Sequence, residues 1–185
     1  MSDTPYLPKP SEPLRGRSTG NFTVPFDPAP YPEVKKSHDD QDNRATVAML
    51  KEDYAGAVSE LTAITQYIFQ NTTAEDPAFA NAMLQIAIAE MTHLDMLGDA
   101  IETLGGDPRY DDGRYYWNAS YVDYARPRPD MLRANIKAET AAIQNYQTHA
   151  AATKNPTVRD FLLRIIRDEQ LHLAFFNEQL AKIPL

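Results

Sequence analysis

Apolar residues recur every three or four positions along four stretches of this 185-residue chain, the spacing of helices that bury one face. From about Asn43 to Phe69 the stripe is Leu50, Tyr54, Ala57, Leu61, Ile64 and Ile68, which predicts one continuous helix. Asp76-Pro77 and Asn155-Pro156 each pair an N-cap residue with a proline in the first turn, and so start a second and a fourth helix. Gly105-Gly106 closes the second. A third is expected to be capped by Asp130 and to end near Ala151. Before it runs a connection of about twenty residues carrying Tyr110, Tyr115, Tyr116, Trp117, Tyr121 and Tyr124, whereas the joins inside each helix pair are short. The fold class expected is all-α, a four-helix bundle made of two helical hairpins and one long crossover. The crossover's aromatics suit a cover over the bundle or an oligomer contact better than a channel mouth.

Ahead of the helices the pattern stops. Residues 1–42 hold eight of the fourteen prolines, so they cannot run as a helix and form a separate N-terminal arm before a bundle at 43–185. Tyr6, Phe22, Phe26 and Tyr31 give the arm apolar groups to pack with, and a neighbouring subunit is the expected surface.

Polar residues interrupt the helical stripes at regular places. Glu60, Tyr67, Glu90 and His93 recur at a constant offset of 79 positions as Glu139, Tyr146, Glu169 and His172. Ile64, Pro77, Ile86 and Leu94 keep the same register with Ile143, Pro156, Ile165 and Leu173, so the bundle reads as a duplicated hairpin. Around Glu90 and His93 the shared face carries Met83, Ile86, Leu97 and Leu104; around Glu169 and His172 it carries Val158, Ile165, Phe176 and Leu180. Glu60 shares its face with Ala57, Ile64 and Tyr67, and Glu139 with Leu132, Ile136, Ile143 and Tyr146. Each helix thus sets a carboxylate into its core stripe. Four buried carboxylates are costly and repel one another, and no Lys or Arg lies on those stripes to offset them. Two divalent cations would balance the four charges and leave both His as neutral ligands. Glu60, Glu90, His93, Glu139, Glu169 and His172 are therefore the candidate metal ligands, two manganese or two iron ions per chain, since carboxylate and imidazole suit both metals. Tyr67 and Tyr146 lie two turns from Glu60 and Glu139 and can hydrogen-bond around the site or serve as core tyrosines. Asp168 can orient His93 across the bundle, and its counterpart is Ala89, so the halves differ. His38 and His149, off the pattern, read as surface residues; Asp95, Asp99 and Glu102 read as a solvated helix face.

Composition narrows the setting. A net charge of −8 argues against an electrostatic nucleic-acid footprint. No apolar run approaches the roughly 20 residues of a membrane span, and the start lacks the basic and apolar regions of a signal peptide. With no Cys, disulfides, Cys-ligated zinc and a rubredoxin-type iron site are excluded from these residues, and a cytoplasmic location is expected.

The pattern Glu60…Glu90-Met-Thr-His93…Glu139…Glu169-Gln-Leu-His172 resembles the ferritin-like superfamily of dimetal carboxylate proteins. The segments Ser59-Glu-Leu-Thr-Ala-Ile-Thr-Gln-Tyr67 and Ala89-Glu-Met-Thr-His-Leu94 are most similar to the manganese catalase group, which includes spore-coat relatives. Ala138-Glu-Thr-Ala-Ala-Ile-Gln-Asn-Tyr146 and Arg167-Asp-Glu-Gln-Leu-His172 are equally similar to rubrerythrins. The resemblance covers about residues 43–182 and implies a ferritin-like bundle that disproportionates hydrogen peroxide, built as a homo-oligomer. In that cycle Glu90, Glu169, His93 and His172 are ligands, and Glu60 and Glu139 bridge or cap. Ala142 stands where rubrerythrins often carry an extra Glu, and no Cys-rich iron segment is present, which favours dismutation over a donor-dependent peroxidase. The alternatives are a di-iron ferroxidase or rubrerythrin-like peroxidase, and a structural spore-coat-type protein that retains the metal site.

Overall fold

The structure, a computed structural model, describes residues 27–183. Five helices make four bundle staves: α1 (Asp40–Ala55) and α2 (Glu60–Thr73) share the first, followed by α3 (Pro77–Thr103), α4 (Arg128–Ala152) and α5 (Pro156–Ala181). α2 pairs with α3 and α4 with α5, the two expected hairpins. Among the described residues there is no strand, only one antiparallel bridge, Asp111 to Tyr116. No helix among them is long and apolar enough to cross a membrane.

The first stave is broken rather than continuous. Gly56 caps α1, its N–H donating to Glu52 O, and a Cβ there would stand 2.5 Å from that oxygen. Ser59 then caps α2, its Oγ accepting from the Thr62 N–H. An apolar stripe is blind to this, because Leu50 and Tyr54 before the break and Ile64 and Tyr67 after it are all buried, while Ala57 between them is exposed. The break starts a new helix at Glu60, so that carboxylate lies where the helix dipole favours negative charge.

Asp76 and Asn155 cap α3 and α5 as expected, each accepting two backbone N–H bonds beside the first-turn proline. α3 ends with Gly106 N–H donating to Ile101 O, and Gly105 takes φ +87°, a conformation that favours glycine. Asp130 does not cap α4. That helix begins at Arg128 behind Pro127, which offers no side-chain cap, because prolines at 127 and 129 preset the turn earlier; Asp130 pairs with Arg133 instead.

On α3 and α5 the site carboxylates stand between two apolar layers. Leu50, Tyr54, Leu97, Ile101, Phe161, Leu162 and Ile165 belong to one layer; Phe79, Met83, Ile86, Met131, Leu132, Phe175 and Phe176 belong to the other. Buried amides tie the second layer together: Asn135 Oδ1 accepts from Gln66 Nε2 at 2.9 Å and Gln70 Nε2 at 2.8 Å, and its amide donates to Gln70 Oε1. The crossover covers α2. Trp117 Nε1 donates to Thr62 Oγ1, Asp123 N–H donates to Gln66 Oε1, and Tyr110 stacks on Tyr54, while Tyr115, Tyr116 and Tyr124 stay exposed.

Of the described part of the arm, residues 27–39 lie on their own bundle, and residues 40–42 belong to α1. Lys35 N–H donates to Thr157 Oγ1, Asn155 Nδ2 donates to Lys35 O, and Arg164 donates to Asp27 O and Ala29 O. Tyr6, Phe22 and Phe26 lie outside the described residues.

Candidate metal centre

All six candidate ligands converge in the bundle interior. Glu60, Glu90, His93, Glu139, Glu169 and His172 are each no more than 3% exposed. They form two overlapping groups, Glu60, Glu90, His93, Glu169 and Glu90, Glu139, Glu169, His172, with donor atoms in each within 4.8 Å of one another. Glu90 and Glu169 belong to both groups, whereas Glu60 and Glu139 each belong to one.

Each imidazole turns Nδ1 toward the carboxylates. His93 Nδ1 stands 2.9 Å from Glu90 Oε2, 3.0 Å from Glu169 Oε1 and 3.6 Å from Glu60 Oε2. His172 Nδ1 stands 3.1 Å from Glu90 Oε1 and 3.3 Å from Glu169 Oε2. Glu90 Oε1 and Glu169 Oε1 nonetheless accept no hydrogen bond, although both are buried. Buried oxygens so placed are costly unless something electropositive meets their lone pairs. Carboxylates and imidazoles converging with orphaned oxygens are the donor set that hard and borderline divalent cations take. The residues fit two such ions.

The protein's electrostatics show the same need for positive charge. Burial, with the charges of Glu90 and Glu169 beside it, pushes the Glu60 carboxyl well above its usual range; burial with Glu169 and Glu90 does the same to Glu139. Burial alone would lower the pKa of both imidazoles, but their carboxylate neighbours outweigh it and raise them. Two cations would bring positive charge to these groups.

The tyrosines cross between halves. Tyr67 Oη donates to Glu139 Oε1 and Tyr146 Oη donates to Glu60 Oε1, so each half's tyrosine holds the other half's carboxylate. Both hydroxyls are buried and their pKa values are raised well above the usual one, first by burial and then by the carboxylates they serve. Asp168 does reach His93: its Oδ2 lies 3.3 Å from Nε2, on the side of the ring away from the other carboxylates. Burial raises the Asp168 pKa, but hydrogen bonds from His93, Tyr31 and Arg164 outweigh it and hold the carboxyl at about 2.

A cavity of about 360 Å³ opens onto the site between α2 and α4. Glu60, Glu90, Glu139, Glu169, Tyr67 and Tyr146 stand at its inner end. Alanines at 134, 138, 141 and 142 line its α4 wall, the helix break contributes Ala57 to Ser59, and crossover residues 120–123 close over it. The crossover therefore walls the opening as well as covering the bundle.

Three interactions escape a reading of the sequence. In the sequence Tyr31 is only one of the arm's aromatics, yet its hydroxyl lies 2.5 Å from Asp168 Oδ2 and 3.1 Å from His93 Nε2. Arg164 is buried, donates to Asp168 at 2.7 Å and lies over the Tyr31 ring at 4.2 Å; its spacing of four from Asp168 was the available signal. His149 is a buried residue and not a surface one, with Nδ1 2.7 Å from Asp53 Oδ2, because α1 packs against the face of α4 on which it sits. His38, Asp95, Asp99 and Glu102 are exposed as expected.

The ferritin-like domain family matches residues 47–185, three of the four staves entire and the greater part of the first. The chain belongs to the ferritin-like family. A probable manganese catalase of Clostridium acetobutylicum is 24% identical over 166 residues, covering 78% of this chain and 74% of that protein. A bacterioferritin of Desulfovibrio desulfuricans is 31% identical over 126 residues, covering 64% of this chain and 66% of its own length. Among solved structures, a manganese catalase from Anabaena superposes with a TM-score of 0.75 at 26% identity, over 86% of this ferritin-like chain and 80% of the other. The D. desulfuricans bacterioferritin superposes with a TM-score of 0.67 at 24% identity, over 77% and 81%, a likeness of fold.

Proposed function

We propose that this chain binds two metal ions and disproportionates hydrogen peroxide. Glu60, Glu90, His93 and Glu169 would hold one ion and Glu90, Glu139, Glu169 and His172 the other. The two carboxylates common to both groups are the bridging candidates, which leaves Glu60 and Glu139 to cap. A bound manganese or iron pair supplies a two-electron couple, so that one peroxide is reduced to water and a second is oxidised to dioxygen.

The observation that carries the reading is the cavity. It is small, its α4 wall is largely alanine, and it meets the donor set on the side where Glu60 and Glu139 stand. A molecule the size of peroxide fits there, beside the site carboxylates and the hydroxyls of Tyr67 and Tyr146, with Lys137 on the α4 wall. Tyr146 and Tyr67 each occupy one oxygen of Glu60 and Glu139, which fixes those carboxylates and leaves the second oxygen of each to hold a metal or a proton. The manganese catalase relatives support the same activity. A homo-oligomer in the cytoplasm, or associated with a spore, completes the proposal.

The bacterioferritin relative supports a second reading, oxidation of Fe(II) at the same donors. Oxygen-electrode traces on manganese-loaded and iron-loaded protein separate the two. Dismutation predicts oxygen from peroxide with no added donor, abolished by His93→Ala or His172→Ala. Fast Fe(II) oxidation with little oxygen from peroxide would establish the ferroxidase instead. Full metal occupancy with neither activity would leave a structural role.

A further inference from the structure

The two halves of the site share their ligands but not their surroundings. Behind His93, on the face away from the four glutamates, stand Asp168, Arg164 and the arm residue Tyr31. At the positions 79 residues before Arg164 and Asp168 the sequence has Gln85 and Ala89.

The hydrogen bonds around Tyr31 have a direction. Its hydroxyl carries one proton, and two groups lie in reach: Asp168 Oδ2 at 2.5 Å and His93 Nε2 at 3.1 Å. The carboxylate, which accepts only, takes the proton. The hydroxyl's lone pair then accepts from His93 Nε2–H, and Asp168 Oδ2, 3.3 Å from the same nitrogen, draws that ring proton further. A proton held on Nε2 leaves Nδ1 with its lone pair aimed into the glutamate cluster, the form in which imidazole binds a metal. The strap itself is fixed: Arg164, 4% exposed, donates to Asp27 O and Ala29 O while its guanidinium lies over the Tyr31 ring.

We propose that Tyr31 is a positioning residue for the metal centre: residues 27–39 form a strap that brings its hydroxyl to the distal nitrogen of His93 and so strengthens the hold on the ion at the His93 position. This rests on the dinuclear reading and adds a support that acts on one of its two ions. Histidine-supporting groups of this kind change metal affinity by roughly 10–100-fold when removed.

The test is a manganese titration of the whole chain against a competing chelator, which resolves two affinities. Tyr31→Phe keeps the ring under Arg164 and removes only the hydroxyl; it should weaken one of the two ions by roughly 10–100-fold and leave the other unchanged. Asp168→Asn, which keeps the shape but loses the charge, should act on the same ion at least as strongly. A structural role alone would loosen both ions together, so equal weakening overturns the proposal, as does no change in either variant. Binding of fewer than two ions by the wild type would instead defeat the dinuclear reading, and this proposal with it.

Discussion

Tyr146→Phe isolates what a crossing tyrosine contributes. The ring is retained, so packing in the buried core is unchanged and only the hydrogen bond to Glu60 is lost. Tyr146 is 2% exposed and Glu60 is 3% exposed, so the bond lies away from the protein surface. A hydrogen bond to a charged group contributes about 1.5–3 kcal/mol and a neutral one about 1 kcal/mol. With metal bound, Glu60 is an anion and the charged figure applies. Without metal, burial and the neighbouring glutamates favour its neutral form, and the smaller figure applies. The variant should therefore lose about 2 kcal/mol in the metal-loaded protein and about 1 kcal/mol in the metal-free protein. For a domain of this size the loaded loss is a fall in Tm of roughly 4–8 °C. Calorimetric melts of both proteins in both states measure it, and in a Glu60→Ala background the effect of Tyr146→Phe should vanish. An equal or larger loss in the metal-free protein would refute the reasoning, since the hydroxyl would then be serving the core and not a charged ligand.

Replacing both Glu90 and Glu169 by Ala removes the two shared carboxylates, so metal analysis should find neither ion retained stoichiometrically; unchanged occupancy would end the dinuclear assignment. Asn135→Ala leaves the buried amides of Gln66 and Gln70 without their partner and should cost about 3 kcal/mol in urea unfolding, with metal content intact. Asp53 has its pKa raised to about 6, by burial first, and His149 beside it is raised as well, because the carboxylates of Asp53 and Glu52 outweigh its burial. Both folded values lie above the unfolded ones, so this contribution is full at low pH and is lost as pH rises through about 6 and then through the raised value of His149. Unfolding free energy measured against pH should therefore fall more steeply between about pH 4 and 6 in the wild type than in Asp53→Asn, by up to about 3 kcal/mol; parallel profiles would show that the pair does not titrate as described.

Much of the site was legible because it is written within single helices. Glu90 with His93, and Glu169 with His172, are three residues apart on one face, and the offset repeat shows that Glu60 and Glu139 belong with them. Capping by Asp76 and Asn155 was equally local. What escaped depends on chain segments far apart in sequence. Tyr31 meets His93 across 62 positions and His149 meets Asp53 across 96, and neither residue type nor spacing announces such a meeting. The break at Gly56–Ser59 is a different case. Its signals, a glycine followed by an N-capping serine, were present in the sequence, but the apolar stripe continues through them, and periodicity measures the face and not the continuity of the backbone. Asp130 is a cap by residue type alone, while the prolines on either side of Arg128 set where the helix begins.

The crossing tyrosines also bear on how such a chain can diverge. Tyr67 serves Glu139 and Tyr146 serves Glu60, so a single hairpin holds half a site and two identical hairpins would complete it as a symmetric pair. In such a pair every substitution appears twice, on both sides of the axis. Joining the hairpins in one chain removes that constraint. Asp168 and Arg164 stand on one side while Ala89 and Gln85 keep the other, and one arm suffices where symmetry would demand two. Covalent fusion is what permits one metal position to change without its twin.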